Sequence, residues 1–160
     1  MAACTANVGA VITARKASIW TNLYDIAVDG LPLATWDESI WRSGGEVELD
    51  GKHYQVRANM WGTTYGMADQ DGTLLASADR VGRKAWKVKA DGRTYEFRRA
   101  SAWRQEEELL VGGLRLGSVK RTSMWRGDAV ADLPGLPLYV QVFVLAVVLA
   151  TWDSSAAAAS

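Results

Sequence analysis

Apolar and polar residues alternate over short stretches through most of the chain, the period of strands with one buried face. Trp86 and Val88 fall on one face while Lys87 and Lys89 fall on the other, and Tyr95 and Phe97 alternate in the same way with Glu96 and Arg98. Asp-Gly pairs punctuate the alternation, and aspartate and glycine accept the positive φ of primed hairpin turns. The pattern repeats. Trp20, Trp61 and Trp103 lie 41 and 42 positions apart, Gly30, Gly72 and Gly113 lie 42 and 41 apart, and Tyr24 and Tyr65 keep the same interval. The segments Asp50-Gly-Lys-His-Tyr-Gln-Val-Arg57 and Asp91-Gly-Arg-Thr-Tyr-Glu-Phe-Arg98 match as Asp-Gly-basic-x-Tyr-x-apolar-Arg.

One copy reads as four short strands, around residues 20–28, 31–36, 45–49 and 53–58, so three copies predict about twelve. The third copy is degenerate. Its Glu106–Val119 stretch still reads strand, glycine turn, strand, but Asp132-Leu-Pro-Gly-Leu-Pro137 stands where the second hairpin belongs.

Past that point the period disappears. Between Leu138 and Trp152 only Gln141 and Thr151 are polar, a run too long for an ordinary strand and introduced by Pro137, which suits a first helical turn. A helix is predicted over 136–152. Its five valines disfavour helix intrinsically, so burial must hold it, and a helix apolar all round is buried on every side. Seventeen residues span about 25 Å at 1.5 Å each, short of the roughly 20 residues that cross a bilayer comfortably, and Asp153 follows instead of basic anchors. Burial inside the protein is therefore favoured over a tail anchor. A closed barrel of twelve strands is too wide for its own side chains to fill, and this helix is the natural plug, with Ala146 and Ala150 giving it a narrow face. Propeller blades and a trefoil also suit a four-strand repeat, but neither houses the helix. The prediction is an all-β protein with one helix: a single barrel domain over 1–155 enclosing the helix, and a low-complexity tail at 156–160.

The repeated hairpins, of the kind Tyr65-Gly-Met-Ala-Asp-Gln-Asp-Gly72 and Asp91-Gly-Arg-Thr-Tyr-Glu-Phe97, together with the closing Leu-Pro-Leu-Tyr-Val-Gln-Val-Phe-Val-Leu segment from Leu136, resemble the Tubby C-terminal-like superfamily. Within it they are most similar to the phospholipid scramblase and LURP-one-related group with its small bacterial members. The resemblance implies a twelve-stranded barrel around a hydrophobic C-terminal helix, in a superfamily that includes phosphoinositide binders and proteins linked to lipid movement. No acidic ion-binding loop of the scramblase kind follows the helix; Asp153 stands there alone.

Composition adds little to the fold: 160 residues, 49% of them hydrophobic, with zero formal net charge. The distribution of charge is more informative, with 5 basic and 10 acidic residues in 1–79, 13 and 5 in 80–126, and 0 and 3 thereafter. Arg80, Arg83, Lys84, Lys87, Lys89, Arg93, Arg98 and Arg99 cluster within twenty positions. Of these, Arg83, Lys84, Lys87, Lys89, Arg93, Arg98 and Arg99 form the candidate lipid-headgroup site, since outward cations along a strand can engage lipid phosphates. The competing reading is a solvated outer face that keeps sheet edges from pairing. Nucleic acid is disfavoured because Trp86 falls on the face opposite Lys87 and Lys89 and offers them no stacking platform.

Nothing points to catalysis. His53 and Cys4 are the only residues of their kinds and lie far apart in sequence, with no zinc spacing, nucleophile elbow or phosphate-binding loop. His53 in its hairpin turn is read as facing solvent, the turn aspartates as turn formers, and Glu106–Glu108 as a solvated charge run. No cofactor and no metal are expected. With one cysteine and no basic segment ahead of the weakly apolar Val8–Ala14 stretch, the chain reads as cytoplasmic, its membrane association at most peripheral. The expected function is non-enzymatic binding of anionic membrane lipids. A protein-interaction scaffold and a tail-anchored protein are the alternatives.

Overall fold

A computed structural model describes residues 11–18, 23–37, 45–49, 51–101, 103, 105–123 and 126–158, with side chains described as far as 153. Cys4, Trp20 and Asp50 lie outside them. Twelve antiparallel strands form a closed barrel. They are β1 (Val11–Lys16), β2 (Leu23–Val28), β3 (Leu31–Asp37), β4 (Gly45–Leu49), β5 (Lys52–Ala58), β6 (Tyr65–Ala68), β7 (Leu74–Asp79), β8 (Ala85–Ala90), β9 (Arg93–Ser101), β10 (Glu106–Val111), β11 (Leu114–Arg121) and β12 (Ala129–Asp132). Each strand pairs with its sequence neighbours, and β1 with β12 closes the ring.

The repeat maps onto this order, with one change to the expected bookkeeping. The first copy supplies β2–β5 and the second β6–β9, but the third supplies only β10–β12. Its missing fourth strand is β1, which pairs with β12 from Val11↔Asp132 to Ala14↔Ala129. The alternation that marks β1 and β12 is present, with Ile12, Ala14, Ala129 and Ala131 all facing the core, but both strands lie outside the motifs that repeat.

Antiparallel order sends successive connections to opposite ends. The turns after β2, β4, β6, β8 and β10 lie at one end, here the hairpin end; the connections between β1 and β2, β5 and β6, β7 and β8, and β9 and β10 lie at the other, the loop end. Asp29-Gly30, Asp91-Gly92 and Gly112-Gly113 each have two consecutive positive φ values, the signature of the primed turn that matches strand twist.

Helix α1 (Leu138–Ala158) enters from the hairpin end after β12 and fills the barrel. Residues 140–149 are buried all round, against inward residues of the wall such as Tyr24, Trp36, Met67, Phe97 and Leu109. The start is later than expected from sequence. Pro137 precedes the helix and its carbonyl accepts from the Val140 and Gln141 amides, both at 3.0 Å, while Gln141 Nε2 donates to the Leu136 carbonyl at 2.7 Å. At the other end the helix continues through Ala158 instead of stopping at Trp152, as fits alanine, the strongest helix former. At the loop end Asp153 accepts from Tyr24 Oη at 2.7 Å and from an Arg121 guanidinium nitrogen at 3.1 Å, and so ties the helix to β2 and β11. Among the described residues no helix is long and apolar enough to cross a membrane.

Candidate functional site

The alternation predicted for β8 and β9 holds in the structure. Trp86, Val88 and Phe97 are buried, and the Trp86 and Phe97 rings stack with centroids 4.5 Å apart; Lys87, Lys89, Glu96 and Arg98 face outward and are exposed. The seven candidate cations do not form one uniform face. Three are occupied by carboxylates. Lys87 lies between Asp79 and Glu96 in the register and approaches Glu96 to 3.9 Å. Arg98 bonds Glu108 at 3.1 Å, and Arg99 lies 3.7 Å from Glu107 while donating to the Gly82 carbonyl.

The other four have no carboxylate within ion-pair distance among the described residues, and they divide between the barrel's ends. Arg83 and Lys84 belong to the β7–β8 connection at the loop end, whereas Lys89 and Arg93 flank the Asp91-Gly92 turn at the hairpin end. Lys84 and Lys89 are five positions apart, about 17 Å along β8. A shallow groove of about 440 Å³ opens beside Lys89 and Arg93, with Ser77 and Thr94 in its lining; it does not reach Lys84 or Lys87.

The consecutive glutamates depart from their reading as a solvated run. Glu107 points inward and Glu108 is covered, at 4% and 9% exposure. Glu107 lies two positions from the inward Leu109 on β10 and opposite Arg99 on β9, so strand alternation places it on the inner face. Glu107 accepts from Trp86 Nε1 at 3.2 Å. Burial holds its carboxyl above the usual carboxylate range, against the lowering effects of the Trp86 hydrogen bond and of Arg99. Glu108 lies under two guanidinium groups, those of Arg98 and, at 3.4 Å, Arg115, which also reaches Glu106 at 3.0 Å. The sequence shows consecutive charge, but the arginines and tryptophan that cover each carboxylate are brought alongside by partner strands.

His53 is half exposed on the outer wall and pairs with Glu46 at 2.8 Å. Among the described residues no group of three His, Cys, Asp or Glu side chains could hold a metal ion. A second, larger groove of about 1300 Å³ crosses the outside of β1–β4; Asp25, Glu46, Glu48 and Asp128 outnumber Arg15 and His53 in its lining. It opens where β3 and β4 are joined by one residue pair, Trp36↔Val47.

The sequence reading assigned no role to the tryptophans that mark the repeat. Trp61 and Trp103 are not core residues: they are 81% and 92% exposed, and Met60 is 91% exposed. All three stand in connections at the loop end, on either side of the Arg80–Lys84 segment. Trp20 lies outside the described residues.

The fold thus defines a closed antiparallel barrel threaded by an apolar helix. No protein-family profile matches the chain, and no curated protein matches it. Among solved structures it is similar to the X-ray structure of a protein from Arabidopsis thaliana, at 12% identity over 91% of this chain and 93% of that one, with a TM-score of 0.41.

Proposed function

We propose that this chain is a non-enzymatic barrel of the Tubby-like kind that binds anionic phospholipid headgroups. Twelve strands closed around a C-terminal hydrophobic helix are what that resemblance implies, which supports the family reading. The observation that carries the lipid reading is the set of exposed cations, Arg83, Lys84, Lys89 and Arg93, that no carboxylate neutralises among the described residues. A cation already paired gains little from a phosphate, because it must first give up its partner; an unpaired one contributes about 1 kcal/mol near an anionic surface. Lys87, Arg98 and Arg99 are therefore secondary in this reading.

Co-sedimentation with vesicles of phosphatidylcholine, with and without phosphatidylserine, tests the proposal. Binding is expected only to the anionic vesicles and is expected to weaken as salt rises. Charge reversal at Arg83 and Lys84 is expected to reduce it more than reversal at Lys87 and Arg98. Equal binding to both vesicle types, or none to either, removes the proposal.

The scaffold alternative draws on the acidic groove across β1–β4, whose charge suits a basic protein segment and repels a lipid headgroup. A tail anchor has less support, because the helix it requires is packed inside the strand wall. Trp86 is buried under Phe97 and is not available to stack on a base.

A further inference from the structure

Hydrophobic side chains as large as tryptophan are seldom left almost wholly in water without a reason. Here two tryptophans and a methionine project from neighbouring connections at one end of the barrel. Met60 and Trp61 lie between β5 and β6, and Trp103 lies between β9 and β10. The β7–β8 connection runs between them around the rim, with Arg80, Arg83 and Lys84 exposed and one carboxylate, Asp79, at its start.

The tip that carries Met60 and Trp61 is held rigidly. Asn59 Oδ1 accepts from the Thr63 and Thr64 amides at 2.9 and 3.2 Å, and Asn59 Nδ2 donates to Thr63 Oγ1 at 3.0 Å. The backbone closes the same turn from Asn59 N to Thr64 O at 2.9 Å and from Gly62 N to Asn59 O at 3.1 Å. Val81 N donates to Thr63 O at 3.0 Å, which joins this tip to the basic connection, and Arg99 joins the basic connection to β9 through its backbone bond with Lys84 and its side-chain bond to Gly82. The polar groups of the loop are thus paired with one another while its apolar residues are left exposed.

We infer that the loop end is an interfacial docking rim, in which Met60, Trp61 and Trp103 enter the headgroup region of an anionic bilayer while Arg80, Arg83 and Lys84 contact its phosphates. Amphipathic aromatic rings favour that depth, and the three cations between them match the charge of an anionic leaflet. The hairpin end also exposes apolar residues, Leu31, Leu74 and Leu114, but none of these is aromatic, and its cations Lys89 and Arg93 stand among the turn aspartates Asp29, Asp71 and Asp91. This inference rests on the lipid-binding proposal and adds an orientation: the barrel axis stands upright on the membrane, with the far end of α1 facing it.

The test uses the full chain and vesicles of phosphatidylcholine and phosphatidylserine, with and without bromine on the acyl chains. Tryptophan quenching by bromine reports insertion, and co-sedimentation reports binding. The wild type is expected to be quenched, and Trp61→Ala/Trp103→Ala to bind about tenfold more weakly, because each lost ring removes apolar burial at the interface. The binding that remains is expected to be salt-labile and little quenched. Leu31→Ala/Leu114→Ala, at the opposite end, is expected to behave as wild type in both measurements. If the wild type binds anionic vesicles and the tryptophan variant binds and is quenched equally well, the docking rim is refuted and headgroup binding stands. If the leucine variant loses binding instead, the orientation is reversed and the inference fails. If the wild type binds no vesicles, both proposals fall.

Discussion

Replacing Asp153 by alanine should destabilise the barrel by about 3 kcal/mol, the lower end of the range for breaking a buried ion pair. The Arg121 side chain is 5% exposed and Asp153 26% exposed, with 3.1 Å between them. Alanine leaves that guanidinium facing the Trp152 ring at 5.1 Å and the Gly127 carbonyl at 2.6 Å, with no other carboxylate at ion-pair distance among the described residues. It also removes the acceptor of the Tyr24 hydroxyl, whose 2.7 Å hydrogen bond is worth about 1 kcal/mol in its own right. The two losses share one side chain and do not add fully. Urea unfolding followed by circular dichroism measures the total, and a melting temperature lower by about 8 °C is the thermal equivalent for a chain of this length. A cycle with Arg121→Met isolates the pair: without the arginine, Asp153→Ala should cost only about 1 kcal/mol, the worth of the Tyr24 hydrogen bond. An equal cost in both backgrounds would refute the reasoning that this pair fastens the helix to the wall.

Glu107 makes stability depend on pH in the direction opposite to a salt-bridged carboxylate. Its folded pKa is raised, so the folded state holds the proton more tightly than the unfolded chain; the associated stability is complete below the unfolded pKa and is lost as pH rises through the folded one. Glu107→Gln keeps an acceptor for Trp86, and its unfolding free energy relative to wild type should improve as pH rises through the carboxylate range and just above it; a difference that stays flat with pH would contradict this. Gly117→Ala should cost about 3 kcal/mol by overpacking, because a Cβ there would overlap the Asp132 carbonyl oxygen and sit 2.9 Å from Pro134 Cδ. Gly30→Ala, in open space but at positive φ, should cost only about 1 kcal/mol from backbone strain. Chemical denaturation of the two variants checks the ordering, and equal costs would show that β11 and β12 can separate at that point.

Much of the fold was legible because its signals are local. Asp29-Gly30 and Asp91-Gly92 mark their turns by residue type, and Trp86, Val88, Tyr95 and Phe97 mark their faces by period. What escaped depends on partners distant in sequence. β1 is a strand of the third copy only through its register with β12, and β12 itself is four residues of small side chains. Glu107 is accommodated on the inward face it shares with Leu109 because Trp86 and Arg99, distant in sequence, lie against it, which no pattern within Glu106–Glu108 reveals. The basic candidates were found by density alone. Their division into occupied and unoccupied cations depends on which carboxylates the register brings alongside, as Glu96 beside Lys87 and Glu108 beside Arg98. The tryptophan repeat was visible from the start, but its exposure was not, since a conspicuous tryptophan suggests core until the connections are placed.

The helix also constrains where any membrane contact can occur. Twelve strands enclose more space than their inward side chains fill, and here many of those side chains are small: Ala14, Ala76, Ala78, Ala90, Ala129 and Ala131 all face the interior. The buried run 140–149 supplies the missing volume. Withdrawing it into a bilayer would leave the wall around an empty apolar cavity, at a cost on the order of 24 cal/mol for each Å³ left unfilled, so the segment cannot serve as core and anchor at once. The hydrophobic residues available to a membrane are therefore those the fold leaves outside. Among the described residues Met60, Trp61 and Trp103 are the most exposed of them, at the end of the barrel where Arg80, Arg83 and Lys84 accompany exposed aromatic rings.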